Sequence, residues 1–137
     1  VNPVLLDTGV IVALLDRSEN NHGRCSLSVQ NISSPLVTCE AVLAESCFLL
    51  RNLRGAPEAI IDNVAAGIFQ IPLQLSKDAS SVAKYLRKYR DRQIDLADAC
   101  LICLADQFET GEILTLDNDF VIYRWGRNKP FRNLIAP

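Results

Sequence analysis

No apolar run in this 137-residue chain approaches the roughly 18 residues needed to cross a bilayer, so no membrane span is expected. Basic charge is not in excess either. Fourteen Lys and Arg stand against 16 Asp and Glu, for a formal net charge of −2. Any contact with nucleic acid must then come from a local patch. Histidine is nearly missing, with His22 the only one, and methionine is absent. The missing initiator is read as the loss of a few residues. Val1-Asn2-Pro3 leads straight into an apolar run, so no signal peptide is expected. There is no internal repeat, low-complexity tract or interdomain linker, so residues 1–137 read as a single domain around one core.

The five cysteines are an odd number in mostly apolar surroundings, which fits a reducing, cytoplasmic setting. Cys100 and Cys103 form a C-x-x-C pair. Zinc would need two further ligands, and His22 is far off in sequence. Redox pairs favour a helix start, whereas this one falls in mid-helix by pattern. Both are expected to fill the core.

Short apolar runs at Val4–Leu6, Leu36–Val37, Phe69–Leu73 and Ile113–Thr115 read as buried strands, with an edge strand at 131–134. Helices are expected from Gly9 to Leu15, from Asn20 or Asn21 to about Gln30, and from Thr38 as cap to near Arg54. Others run from Ala56 to about Gly67, from Ser76 as cap to about Tyr89, and from Asp95 as cap to about Phe108. A short one opens at Asp117. Strands alternating with helices predict an α/β fold: a three-layer α/β/α sandwich with a central, mainly parallel sheet of four to five strands.

Four acids interrupt apolar stretches. Asp7 follows Val4-Leu5-Leu6, Glu45 lies within Ala41–Leu50, Asp98 within Leu96–Ala105, and Asp117 closes Ile113–Leu116. A carboxylate among Leu, Val and Ala costs several kcal/mol unless compensated. In parallel sheets ligands bind outside the carboxyl ends of the strands, where Asp7 and Asp117 fall. Glu45 and Asp98, on helices after strands, can face the same edge. Four converging acids repel one another, and a hard cation such as Mg²⁺ or Mn²⁺ relieves that repulsion. Such a site suits phosphodiester hydrolysis by a metal-activated water. Taken singly, Asp7 also fits a turn, Asp98 a capping box and Asp117 a helix cap. Glu45 has no cap to serve.

The segments Leu5-Leu6-Asp7-Thr8-Gly9, Glu40 to Glu45, Asp95-Leu96-Ala97-Asp98-Ala99 and Leu114-Thr115-Leu116-Asp117 resemble the PIN domain (PilT N-terminal) ribonucleases, in particular the small VapC-like group. The likeness covers essentially the whole chain in order. It implies a Mg²⁺- or Mn²⁺-dependent endoribonuclease, in many relatives the toxin of a type II toxin–antitoxin pair, inhibited by a protein antitoxin and often homodimeric. The family's acidic quartet falls on Asp7, Glu45, Asp98 and Asp117, with Thr8 and Thr115 as small hydroxyls beside the metal. Asp119 competes with Asp117 as the fourth acid, and Asp95 is expected to cap its helix and support the site rather than bind metal.

Basic residues cluster twice: Lys84, Arg87, Lys88, Arg90 and Arg92, then Arg124, Arg127, Lys129 and Arg132 among Tyr123, Trp125 and Phe131. Arginine beside aromatics suits single-stranded RNA, so Arg124, Trp125, Arg127 and Lys129 are candidate RNA contacts. A solvated helix face and a packed C-terminal segment are the plainer readings. Two other functions compete with the ribonuclease: a non-catalytic PIN-fold module binding RNA or protein, and a nuclease acting on DNA.

Overall fold

A computed structural model describes residues 2–137. The chain runs β1 (Val4–Leu6), α1 (Thr8–Leu15), α2 (His22–Gln30), β2 (Leu36–Val37), α3 (Glu40–Leu49), α4 (Ala56–Ala65), β3 (Phe69–Gln70), α5 (Leu75–Lys88) and α6 (Leu96–Phe108). It ends with β4 (Glu112–Leu114), β5 (Arg124–Trp125), β6 (Lys129–Pro130) and β7 (Arg132–Asn133). Short 3₁₀ turns lie at Arg90–Arg92 and Asn118–Val121. The main sheet has the order β3-β2-β1-β4-β7, with every neighbour parallel, and helices flank it as the α/β expectation required.

The strands β2 and β3 lie on one side of β1, and β4 and β7 on the other. That reversal opens a crevice at the carboxyl ends of β1 and β4, the place where open α/β sheets bind ligands. The β1 residues Val4, Leu5 and Leu6 are all buried, as a central parallel strand demands. Helix α6 is buried on every face from Ala97 to Ala105 and packs against α3, α5 and β1. A helix apolar all round can exist only inside a core. Its first turn, with Asp98, is thereby fixed against the sheet.

Several boundaries differ from the sequence expectation for identifiable reasons. Strand β3 stops at Gln70, and Pro72 has no N–H to continue a ladder. Helix α3 stops at Leu49, five residues early, and the chain then turns through Gly55 at φ +84 to start α4. Thr38 does not cap α3: its hydroxyl donates to the Leu6 carbonyl at 2.7 Å, joining the ends of β2 and β1. Ser76 does not cap α5 either. Gln74 stands at that cap, and its N–H donates to Asp78 Oδ2 at 3.1 Å.

The β5–β6 hairpin was not anticipated. It turns through Gly126 and Asn128, both at positive φ, and packs Trp125 over Gly111. A Cβ at Gly111 would lie 2.2 Å from Trp125 Nε1, so only glycine fits there.

Candidate metal centre

Asp7 directly follows β1 and caps α1. Its Oδ1 accepts the Thr8 N–H at 2.8 Å, and its Oδ2 accepts the Thr115 hydroxyl at 2.6 Å. The same Thr115 oxygen accepts the Asp117 N–H at 2.9 Å, so one hydroxyl ties the residue after β1 to the residue that opens the Asn118–Val121 turn. Asp117 in turn accepts the Asp119 N–H at 2.9 Å. Asp98 enters from α6. Its N–H donates to the Asp95 cap at 2.8 Å, and its Oδ2 accepts the Tyr123 hydroxyl at 3.3 Å.

Together these bonds bring one carboxylate oxygen each of Asp7, Asp98 and Asp117 within 4.8 Å of one another. Asp7 and Asp98 are buried. Burial, opposed by the Thr115 and Thr8 hydrogen bonds and joined by the charges of Asp117 and Asp95, raises Asp7 from 3.8 to about 6. Burial raises Asp98 further, to about 8, helped by the charges of Asp95, Asp7 and Asp117. Both shifts come first from burial, and neighbouring negative charge without a counter-charge adds to it. The donor set is all oxygen, with no His or Cys, and that composition selects hard cations such as Mg²⁺ or Mn²⁺. The residues present therefore fit such an ion. Among the described residues no other His, Cys, Asp and Glu group has ligand spacing.

The other acids named from the sequence take different places. Glu45 lines the same cleft of ≈ 310 Å³ but is exposed, and it accepts the Thr8 hydroxyl at 2.6 Å. It stands at the rim beside the triad rather than in it, so its apolar sequence context did not mean burial. Asp119 turns away to pair with Arg92 at 3.2 Å, which leaves Asp117 as the clustered acid. Asp95 lines the cleft while capping α6. The sequence placed Tyr123 only among the aromatics of the second basic cluster and not at the acid site. Its ring is fully buried against Tyr89 and Phe120, with centroids 4.9 and 5.1 Å away, and only this tertiary packing delivers its hydroxyl to Asp98.

The basic candidates divide. Trp125 is buried and donates Nε1–H to the Pro130 carbonyl at 3.0 Å, so its faces are not free for base stacking. Arg127 and Lys129 are exposed on the hairpin, beside Lys84, Asp106 and Glu109. Asp106 lies eight residues along α6 from Asp98, or about 12 Å of helix axis, so this group does not line the acid cleft. Arg124 lies nearer, in a cleft that includes Asp117. The cysteine pair is core: Cys100 and Cys103 are buried in α6, all five thiols are free, and burial pushes Cys103 up to about 12.

Comparison with known proteins agrees with this architecture. The chain is 30% identical over 116 residues to ribonuclease VapC26 of Mycobacterium tuberculosis, covering 83% of this chain and 86% of that protein. Its fold matches the crystal structure of VapC20 of the same organism, a sarcin–ricin loop cleaving toxin, with a TM-score of 0.80. That match covers 93% of this chain and 99% of VapC20 at 17% identity, a likeness of fold. The PIN domain model matches residues 4–125, strand β1 through strand β5 with every acid of the cleft inside, and on that ground the chain belongs to the PIN domain family.

Proposed function

We propose that this chain is a Mg²⁺- or Mn²⁺-dependent endoribonuclease that cleaves single-stranded RNA. The observation that carries the reading is the Asp7–Asp98–Asp117 triad, with Asp7 and Asp98 buried and Asp117 half-buried, at the carboxyl ends of β1 and β4. Similarity to a ribonuclease over four-fifths of the chain supports RNA as the substrate class.

Asp7, Asp98 and Asp117 are the residues that would hold the ion. Thr115 fixes Asp7, and Tyr123 and the Asp95 cap fix the turn that bears Asp98. When bound, a hard divalent ion supplies Lewis-acid stabilisation of the phosphate and makes water a competent nucleophile near neutral pH. Glu45, exposed at the rim and anchored by Thr8, orients the attacking water. In-line attack on phosphorus expels the 3′ oxygen, leaving a 5′-phosphate and a 3′-hydroxyl. The test is end analysis of cleaved RNA with and without EDTA. Activity untouched by EDTA, or a 2′,3′-cyclic phosphate end, contradicts the mechanism.

The chain is read further as the toxin of a type II pair, held by a protein antitoxin and homodimeric. Exposed apolar side chains favour a partner: Phe48 is 61% and Ile61 52% exposed, on α3 and α4. Between these helices runs an apolar groove of ≈ 260 Å³ containing Leu43, Ala44 and Val64. The apolar residues Val10, Ile11 and Ala13 of α1 are buried, so α3 and α4 rather than α1 offer this surface. Co-expression with the product of the neighbouring reading frame should give a complex without cleavage. A lone gene, harmless on expression, counts against the toxin reading. Among the described residues no helix is long and apolar enough to cross a membrane.

The non-catalytic module is the second reading, and Asp98→Asn separates the two. Lost cleavage with retained RNA binding supports the enzyme, whereas wild type that cuts none of a varied RNA set favours the module.

A further inference from the structure

A second, larger cleft of ≈ 530 Å³ adjoins the acid cleft and shares Leu116 and Asp117 with it. Beside the shared Asp117 it carries basic side chains, which the acid cleft lacks. Two arginines line it: Arg24 from α2 and Arg124 from β5. Arg124 is held rigidly, because Nη1 donates to the carbonyl oxygens of Val121, Ile122 and Tyr123 at 2.9, 3.3 and 3.1 Å. Its Nε and Nη2 donors take no partner among the described residues. Arg24 is exposed and makes one side-chain bond, to Asn21 Oδ1 at 2.7 Å. Asn118, also exposed at the cleft, has no side-chain hydrogen bond among the described residues. Val121, 72% exposed, and half-buried Phe131 add apolar surface.

A cation is repelled by two guanidinium groups, whereas a phosphate is attracted and can be gripped by two N–H donors of each. Apolar surface and an unpaired amide beside the arginines suit a base and its hydrogen-bonding edge. The volume falls in the usual range for a small-ligand site. Continuity through Leu116 and Asp117 places such a nucleotide next to the acids, so one RNA strand can occupy both clefts.

We propose that the Arg24–Arg124 cleft seats the nucleotide that flanks the scissile phosphate, with the arginines on its phosphate and the Val121–Phe131 wall against its base. This rests on the reading of the chain as a ribonuclease and identifies where that substrate is gripped. It also moves the RNA contact away from the hairpin residues Arg127 and Lys129.

The test measures binding without cleavage. Fluorescence anisotropy of a labelled single-stranded RNA is followed in Mg²⁺ with the Asp98→Asn protein as parent. Adding Arg24→Glu should weaken binding at least about 10-fold, and adding Arg24→Gln should reduce the log–log salt slope by about 0.7. Arg127→Glu should change affinity less than about 3-fold. Val121→Trp, which fills the cleft without altering charge, should weaken binding as well. Urea melts verify that each variant folds. Unchanged affinity in Arg24→Glu, a larger loss in Arg127→Glu, or a parent that binds an acidic peptide but no RNA overturns the proposal. Wild type that leaves every RNA uncut while binding still depends on Arg24 sinks the nuclease reading and leaves the cleft standing.

Discussion

The acid triad and the β5–β6 hairpin both collect conspicuous charged or aromatic residues, yet the fold uses them in opposite ways. In the triad, hydrogen bonds from Thr8, Thr115 and Tyr123 position carboxylates without neutralising them, and two are held well above the ordinary carboxylate range. In the hairpin, Trp125 is packed over Gly111 and bonded to Pro130, and Lys129 lies 5.0 Å over its ring. Groups of the first kind diminish stability and await a ligand. Trp125 and Lys129, by contrast, already have their partners.

The sharpest way to break this contrast is Asp98→Asn. Cleavage should fall at least about 10²-fold, the scale on which removal of one charge-stabilising group acts. The metal-free protein should become more stable by about 1–3 kcal/mol, because Asn removes the cost of holding protonated in the fold a carboxyl that ionises in the unfolded chain. Loss of activity with equal loss of stability would make Asp98 an ordinary structural residue. Tyr123→Phe comes next. As a positioning residue it should lower Mn²⁺ affinity about 10-fold, read by calorimetry, with the fold retained. Unaltered affinity would remove Tyr123 from the site.

The pH dependence follows from the raised acids. In the unfolded chain both titrate near their ordinary value of 3.8, but in the fold near about 6 and about 8. Between these values the native state holds more protons than the unfolded one, so metal-free stability should fall as pH rises from about 4 to about 8. Asp98→Asn should flatten the upper part of that slope in urea melts. Stability rising with pH across this window would contradict the assignment.

The hairpin side is tested by stability alone. Gly111→Ala forces a Cβ against Trp125 Nε1 and should cost about 1–3 kcal/mol. The smallest effect is expected at exposed Arg127, where Ala should alter stability by less than about 0.5 kcal/mol.

How much was legible follows the same division. Strands β1 and β4 and the acids that end them could be read because a buried parallel strand is a plain apolar run, and its terminal acid breaks that run. Asp98 stood out because α6 is apolar all round. Glu45 looked similar for a different reason. Val42, Leu43, Ser46 and Leu50 of that stretch point inward, while exposed Ala44, Phe48 and Leu49 make the outer face apolar too. Isolation in sequence therefore did not mean burial. Tyr123 on Asp98, Thr38 on Leu6 and Asp119 on Arg92 span 25 or more residues and arise only from packing. The hairpin strands are two residues long, too short to show a period.

The claim that three clustered acids form one hard-cation site is tested most directly by calorimetric titration of Mn²⁺ into the metal-free protein at neutral pH. Wild type should bind with release of on the order of one proton, given up by Asp98 as the ion enters, and Asp98→Asn should neither bind comparably nor release it. Absence of binding in wild type, or equal binding in the variant, would contradict the account.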